Sequence, residues 1–197
     1  MAAMLYLVRH AEQESTPDED PTVGVSERGR DQAQRLGRRL AHVPFAGVHH
    51  SPLLRAEQTA TVIATELAPG TPLGASEFLI DRTPVPEPGQ ENEYSAAARG
   101  WLAGVPTAER DPGGREISAA LAHFATGAED GTHHLLITHA FVVGWFVRAA
   151  LGAPVAAWLG LSPANAGLTV LRCRPEHPEQ PIQLIGYNDV GHLSSGA

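Results

Sequence analysis

Short apolar runs alternate with amphipathic segments along most of the chain. Leu5–Val8 is an apolar run of the kind that a parallel sheet buries on both faces. Ser26 is a typical N-cap residue, and the spacing of apolar residues after it predicts a helix to about Ala41. A second strand is expected at Gly47–His50, followed by a helix over about Leu53–Leu67.

The second half of the chain continues this alternation. Leu73–Ile80 predicts a strand, and Asp81–Gly89 is too rich in proline for regular structure, so we expect a loop there. Two helices are predicted, at about Asn92–Ala103 and Arg115–Thr126. The remaining predictions are a strand at His134–Ile137, a helix at Phe141–Leu151, and strands at Leu168–Arg172 and Gln183–Tyr187.

This order of elements indicates an α/β fold. We expect one domain over residues 1–197, built as a three-layer sandwich with helices on both faces of a mostly parallel sheet. The length suits one substantial hydrophobic core, and a composition of 43% hydrophobic and 18% charged residues is ordinary for a globular protein.

Charge and composition exclude several classes of partner. With 14 basic and 22 acidic residues the formal net charge is −8, which gives no general attraction to nucleic acid or to an anionic membrane. The N-terminus lacks the pattern of a signal peptide, so we expect a cytoplasmic protein. One cysteine cannot form an internal disulfide. Oligomeric state is not encoded in any pattern that we can identify.

Polar residues that can take part in catalysis or binding follow four of the predicted strands. They are Arg9-His10, Ser51-Pro52 leading to Arg55, Asp81, and Thr138-His139. Sites in open α/β sheets form beyond the carboxyl ends of the strands. The placement therefore predicts that these residues share one site at one edge of the sheet.

Two arginines, two histidines and one carboxylate suit phosphoryl transfer. The guanidinium groups of Arg9 and Arg55 match phosphate oxygens in charge and geometry. A neutral histidine can attack phosphorus near pH 7, a second histidine can donate to the phosphoryl oxygens, and a carboxylic acid can protonate the leaving oxygen. Neither a GxxxxGK[ST] loop nor a GxGxxG turn is present, so a nucleotide-dependent kinase or dehydrogenase has no support.

The segments that carry these residues resemble the histidine phosphatase superfamily, the phosphoglycerate-mutase-like proteins. Leu7–Glu12 resembles the Arg-His-Gly opening of that family, and Ser51–Ala60 is similar to its second arginine block. Further similar segments, in the family's order, are Val25–Ala33, Ile137–His139, Asn165–Leu171 and Asn188–Leu193.

The resemblance implies a role for each residue of the predicted site. His10 would be the nucleophile that becomes phosphohistidine, and Arg9, Arg55 and His139 would hold the phosphoryl oxygens. The backbone N–H of Ala140 would join them, since it opens a predicted helix whose N-terminus favours anions. No metal and no other cofactor is expected, because the arginines already supply positive charge.

The proton donor is less directly specified. The family usually has a glutamate about two dozen residues beyond the second arginine, and here Asp81 lies 26 residues after Arg55. We favour Asp81, with three nearby glutamates as alternatives. These are Glu77, Glu87 and Glu91. The chain also has Ala11 where the family usually has glycine, a difference that we expect the fold to tolerate.

These features predict a metal-independent phosphomonoesterase that acts through a phosphohistidine on His10. Its substrate would be a phosphorylated small molecule or a phosphoprotein. Two alternatives remain: a phosphotransferase of the phosphoglycerate mutase type, and a phospho-ligand binding module without catalytic activity.

Overall fold

A six-stranded sheet forms the centre of the computed structural model, which describes residues 2–15, 22–127, 129–174, 176–177 and 181–194. Its strands are β1 (Ala3–Arg9), β2 (Phe45–His50), β3 (Leu73–Ala75), β6 (His133–Thr138), β7 (Leu168–Cys173) and β8 (Ile182–Asp189). Two further strands, β4 (Thr83–Val85) and β5 (Arg110–Pro112), pair separately. The central strands lie in the order β3-β2-β6-β1-β7-β8.

Four neighbouring strands of this sheet run parallel. β1 pairs with β6, with Leu7 opposite Leu136, and β2 pairs with both β6 and β3 in the same direction. β7 is antiparallel to β1, and β8 is antiparallel to β7. The prediction of a mostly parallel sheet is confirmed, and the carboxyl ends of β1, β2, β3 and β6 therefore lie at one edge.

Helices cover both faces of the sheet. They are α1 (Glu27–Leu40), α2 (Leu54–Ala64), α3 (Ala96–Ala103), α4 (Arg115–Gly127) and α5 (Ala140–Ala150). Leu135 and Ile137 of β6 pack in the same cluster as the apolar sides of α1 and α2, whereas Leu136 packs with residues of α4 and α5. The three-layer prediction is confirmed. Within the described ranges, every helix is too short or too polar to cross a membrane.

The start of α1 follows its sequence signal. Ser26 has extended backbone angles, and its Oγ accepts a hydrogen bond from the N–H of Gly29 at 3.0 Å. That contact satisfies one of the backbone donors that a helix leaves unpaired at its first turn. Ala33 and Leu36 are fully buried on the side that faces α2 and the sheet.

The predicted strand Leu73–Ile80 is wrong beyond its first three residues. β3 pairs with β2 only as far as Ala75 opposite His50, and the N–H of Ser76 then bonds to the carbonyl of His50 at 2.8 Å. Because β2 ends at His50, β3 has no partner further on. The chain turns through a 3-10 helix at Glu77–Leu79, which buries Leu79 and leads into Asp81.

The proline-rich stretch after Asp81 is more regular than predicted. Thr83–Val85 forms β4, which pairs in parallel with β5, Thr83 opposite Arg110. Both strands of a two-stranded ladder are edges, and an edge tolerates a residue without a backbone N–H, such as Pro84. The helix predicted from Asn92 begins only at Ala96, where the Oγ of Ser95 accepts from the N–H of Ala98 at 3.2 Å.

A close contact between α1 and the loop after β1 makes Gly29 a sensitive position. A β-carbon there would lie 2.0 Å from the carbonyl oxygen of Glu12, so the backbone at one end of the predicted site would have to move. We expect Gly29→Ala to lower the free energy of unfolding by about 1–3 kcal/mol or more, as overpacking does. Urea unfolding measures this.

Gly100→Ala is the matched control. Gly100 lies inside α3, where a β-carbon meets no atom within 4 Å, and alanine is the better helix former by about 1 kcal/mol. This control is expected to unfold at equal or higher urea than the wild type. Equal stability of Gly29→Ala and the wild type would contradict the packing described.

Candidate active site

The ends of β1, β2 and β6 are tied together by backbone hydrogen bonds. The N–H of His10 donates to the carbonyl of Thr138 at 2.8 Å, and the N–H of Ser51 donates to the carbonyl of Ile137 at 2.9 Å. This pairing brings the rings of His10 and His139 to a centroid distance of 5.2 Å. Both histidines are buried, with relative exposures of 6% and 1%.

Arg55 and Asp81 come from different segments and converge on the ring of His139. An Oδ2 atom of Asp81 lies 3.3 Å from Nη2 of Arg55 and 3.4 Å from Nδ1 of His139. The same Nη2 lies 3.4 Å from that Nδ1. The side chain of Arg55 is 12% exposed and that of Asp81 is 36% exposed, so the carboxylate is the member of the group that solvent reaches most easily.

The hydrogen bond of His10 determines which of its nitrogens can react. Nδ1 lies 2.8 Å from the carbonyl oxygen of Ala11. A carbonyl oxygen can only accept, so Nδ1 carries the hydrogen and Nε2 of the neutral ring keeps its lone pair. Burial, helped by the charges of Arg55 and Arg9 and opposed by the bond to Ala11, lowers the pKa of His10 to about 3. The ring is therefore neutral near pH 7.

Arg9 and Arg55 bring two positive charges into a largely buried space. Burial, with a smaller contribution from Arg55, lowers the pKa of Arg9, while Asp81 acts in the opposite direction. Nη1 of Arg9 donates to the carbonyl of Pro163 at 2.8 Å. The Nε atoms of both arginines are buried without a hydrogen-bond partner in the described part of the chain. Such donors favour an anion at this position.

Two threonines hold the loops that carry these groups. Oγ1 of Thr59 accepts from the N–H of Ala11 at 3.0 Å and donates to the carbonyl of Arg55 at 2.6 Å. Oγ1 of Thr138 donates to the carbonyl of Leu79 at 2.8 Å, two residues before Asp81. Each hydroxyl thus fixes the backbone of one segment relative to another at the strand ends.

The turn before β7 supports β1 from the other side. The N–H of Ala166 donates to the carbonyl of Arg9 at 3.0 Å, and Nδ2 of Asn165 donates to the carbonyl of His10 at 3.0 Å. Ala166 is fully buried and has a φ of 55°, a left-handed conformation that is uncommon for a residue with a β-carbon. The backbone of the Arg9-His10 pair is therefore fixed by contacts from a distant part of the sequence.

Residues 5–182 match the family model described as "Histidine phosphatase superfamily (branch 1)". The chain belongs to the histidine phosphatase superfamily. The resemblance noted in the sequence motifs is thereby confirmed for most of the chain's length.

Relatives within this superfamily match nearly all of the chain. It is 30% identical over 202 residues to the serine/threonine-protein phosphatase Pgam5, mitochondrial, of Drosophila persimilis, covering 98% of this chain and 67% of that protein. It is 27% identical over 201 residues to the protein of the same name from Caenorhabditis briggsae, covering 96% and 64%. The chain thus spans about two thirds of the length of these curated relatives.

Solved structures agree on the histidine phosphatase fold. YhfR of Bacillus stearothermophilus aligns with a TM-score of 0.73 at 19% identity, covering 98% of this chain and all of that one (100%). A phosphoglycerate mutase from Bacillus anthracis str. Sterne aligns with a TM-score of 0.73 at 16% identity, covering 98% and 95%. At these identities the likeness concerns the fold alone.

The structure brings together the residues that the motifs selected. Arg9, His10, Arg55, Asp81 and His139 lie at the same edge of the sheet, joined by the contacts given above. Ala140 is the first residue of α5, directly after His139. The described part of the loop between β1 and α1 ends at residue 15 and resumes at residue 22, so residues 16–21 lie outside the described ranges.

The three alternative carboxylates have other surroundings. Glu87 forms an ion pair with Arg115, and Oε2 of Glu91 accepts from the N–H of Gly89 at 2.8 Å. Glu77 lines a surface groove together with Phe78 and other residues, but with none of the five residues of the predicted site. Of the four carboxylates, Asp81 is the one for which a contact with Arg55 and His139 is observed.

Ala11 fits its position without a special backbone conformation. It is fully buried, and it is not among the described residues with positive φ. The glycine that the family usually has here is therefore not required by the backbone angles of this chain. Its methyl group packs in the cluster that includes Ala56 and Ala60 of α2.

Ser51 lies in the second arginine block, but the sequence does not specify the contact that its hydroxyl makes. Its Oγ lies 2.8 Å from Nε2 of His139, on the side of the ring opposite Asp81. Thr59 lies in the same Ser51–Ala60 block, and the sequence likewise does not specify its contacts. The signal was present, because a motif that specifies hydroxyl residues as well as an arginine implies that the hydroxyls have partners.

The histidines of the site predict how stability varies with pH. Burial, assisted by neighbouring positive groups, lowers the pKa of His139 well below its ordinary value, as it does for His10. Between these values and about 6.5 the unfolded chain binds protons that the folded chain does not. Stability is therefore expected to fall as the pH falls below about 6.5.

Replacing His10 with a residue that does not titrate should reduce this dependence. The free energy of unfolding of the wild type should fall between pH 7 and pH 5. We expect this fall to be smaller by about 1–2 kcal/mol in His10→Gln. Urea unfolding at both pH values measures the difference, with His42→Gln, a substitution of an exposed histidine, as the control. Parallel pH dependence in the wild type and His10→Gln would contradict a neutral His10.

Proposed function

We propose that this chain is a metal-independent phosphomonoesterase that forms a phosphohistidine on His10. The observation that carries the proposal is the state of that ring: buried, neutral, and bonded through Nδ1 so that Nε2 keeps its lone pair. Two partly buried guanidinium groups and a second imidazole lie near it, which suits an anionic electrophile such as a phosphoryl group.

The first step transfers the phosphoryl group to the protein. Nε2 of His10 attacks phosphorus, a P–N bond forms, and the bond from phosphorus to the leaving oxygen breaks. Arg9, Arg55 and His139 hold the remaining phosphoryl oxygens, with the N–H of Ala140 at the start of α5 as a further donor. The leaving oxygen takes its proton from Asp81, so the substrate's alcohol departs uncharged.

Asp81 needs a proton to act as this acid, and the substrate itself promotes protonation. Without ligand, the carboxylate accepts from Arg55 at 3.3 Å, which favours its charged form. A bound phosphoryl group competes for the donors of Arg55 and places negative charge beside Asp81. Both effects favour the protonated carboxyl group, so binding prepares the acid that the first step requires.

The second step returns the protein to its starting state. Asp81, now a carboxylate, takes a proton from water as the water oxygen attacks the phosphohistidine. The P–N bond breaks, inorganic phosphate forms, and Nε2 of His10 regains its lone pair. With 36% of its side chain exposed, Asp81 is placed where water can approach it, in contrast to His139, which is 1% exposed.

The substrate class is proposed from the relatives. Their names describe serine/threonine-protein phosphatases, which supports a phosphoprotein substrate, while a phosphorylated small molecule fits the same pocket chemistry. No nucleic acid or membrane partner is proposed, on the basis of the net charge of −8. Location in the cytoplasm stays a prediction from the sequence, whereas the relatives are named as mitochondrial.

Loss of the nucleophile should abolish turnover. We expect His10→Ala to hydrolyse an aryl phosphate at least about 1000-fold more slowly than the wild type, because the covalent route is removed. Acid hydrolyses phosphohistidine, so the reaction cannot be quenched with acid. The adduct is instead sought by mass spectrometry at neutral pH after rapid mixing. His42→Ala is the control, since His42 is exposed.

The same measurements of adduct and released phosphate, made with a phosphoglycerate as well as an aryl phosphate, separate the alternatives. Release of phosphate with a transient adduct on His10 supports the phosphatase. Transfer of the phosphoryl group to a second hydroxyl of a phosphoglycerate, without phosphate release, would support the mutase. Binding of a phosphorylated compound with neither adduct nor product would support a binding module.

Asp81→Asn tests the proton donor. We expect kcat for an alkyl phosphate to fall about 100- to 10,000-fold, because the amide cannot protonate a poor leaving group. Inorganic phosphate should bind with similar or higher affinity, since a competing negative charge is removed. Glu77→Gln, Glu87→Gln and Glu91→Gln are the matched controls, and a comparable loss in one of them would assign the acid to that residue instead.

A further inference from the structure

The buried hydroxyl of Ser51 has two neighbours whose bonding roles can be deduced. The N–H of Leu53 donates to Oγ at 3.3 Å, and Nε2 of His139 lies 2.8 Å from the same atom. Ser51 is fully buried, and a buried hydroxyl proton without an acceptor is costly. The Leu53 N–H cannot accept, so Nε2 of His139 is the acceptor that the described contacts offer.

The other nitrogen of His139 leads to the same assignment. Nδ1 lies 3.4 Å from the carboxylate oxygen of Asp81 and 3.4 Å from Nη2 of Arg55. Nη2 of Arg55 can only donate and by itself would favour a lone pair on Nδ1, but the Asp81 oxygen at the same distance is negatively charged and attracts an N–H more strongly. With hydrogen on Nδ1, both His139 and Arg55 act as donors to the one oxygen of Asp81.

We propose that Ser51 is a positioning residue that holds neutral His139 with its hydrogen on Nδ1, so that this ring donates to the phosphoryl group without having to be protonated. The inference rests on the proposed phosphatase activity and adds a residue to it. Ser51 touches neither substrate nor the reacting atoms. It acts through His139. When substrate binds, the Nδ1–H of that ring would donate its hydrogen bond to a phosphoryl oxygen instead of to Asp81.

This arrangement matters because the surroundings disfavour a positive charge on the His139 imidazole. Arg55 of α2, Arg9 at the end of β1, His10 directly after it, and Asp81 after the Glu77–Leu79 turn all face the His139 ring or contribute charge near it. Burial and the positive neighbours disfavour imidazolium. A neutral ring can still stabilise the transition state, provided that its one hydrogen is on the nitrogen that faces the pocket.

The tautomer can be measured directly in the protein without substrate. Nitrogen-15 NMR of the wild type, with the His139 signals assigned by comparison with His139→Gln, should show a protonated Nδ1 and an unprotonated Nε2. Ser51→Ala should shift the hydrogen towards Nε2. A wild-type ring with its hydrogen on Nε2 would overturn the proposal even if the phosphatase activity is confirmed.

Kinetics give a second readout. Ser51→Ala is expected to lower kcat for an aryl phosphate roughly 10- to 100-fold, less than the about 100- to 1000-fold cost of losing an oxyanion donor outright, because some of the rings keep their hydrogen on Nδ1. The deficit should be the same at pH 5 and pH 8, because the pKa of His139 lies well below its ordinary value and the ring stays neutral over that range. No deficit, or a deficit that disappears towards pH 5, would contradict a role through a neutral ring.

Two further variants separate this role from a general effect on folding. Ser51→Thr retains the hydroxyl and should keep the wild-type tautomer, with kcat nearer to the wild type than Ser51→Ala. Ser118→Ala removes a different serine hydroxyl that bonds a ring nitrogen, Nε1 of Trp145 at 2.9 Å, outside the site, and should leave both the tautomer and kcat unchanged. A Ser51→Thr ring with hydrogen on Nε2 would count against the hydroxyl as the cause.

Discussion

Burying two guanidinium groups beside two neutral imidazoles is the constraint on which the rest of the site depends. Each arginine alone would favour water, and the Nε atoms of Arg9 and Arg55 are buried without a partner in the described chain. Asp81 offsets part of this cost from the solvent side. Burial, and secondly the remaining positive potential, lower the pKa of both rings, so the groups that attract an anion also help to keep His10, the proposed nucleophile, neutral.

The scaffold makes this arrangement possible through the polarity of its strands. β1, β2 and β6 end at one edge, and the backbone bonds from His10 to Thr138 and from Ser51 to Ile137 continue the sheet's pairing into the loops. Beyond the last paired residues of the strands, side-chain hydroxyls connect the segments. Thr59, Thr138 and Ser51 each bond across from one segment to another, which fixes loops that have no regular structure of their own.

Much of this could be predicted from the sequence, because short buried strands and a capped helix have strong local signals. Leu5–Val8 and the Ser26 cap depend on neighbours within a few residues, and both predictions hold. The extent of β3 depends on where its partner β2 ends, and the pairing of β4 with β5 joins segments 27 residues apart, as Thr83 opposite Arg110 shows. Local patterns carry no information on such partners. The five residues of the site could be selected because each follows a predicted strand, whereas the motif indicates only that the Ser51 and Thr59 hydroxyls have partners and not that these are His139 and the N–H of Ala11.

The position of β1 in the middle of the sheet has a consequence for the order in which the protein matures during synthesis. Both neighbours of β1 are translated late, and the carbonyl of His10 bonds to Asn165, 155 residues further along. A nascent chain therefore emerges with its reactive histidine long before the strands and the turn that enclose it exist. Such non-local pairing is intrinsically slow to form. An N-terminal fragment that stops before Asn165 therefore lacks part of the framework that encloses His10.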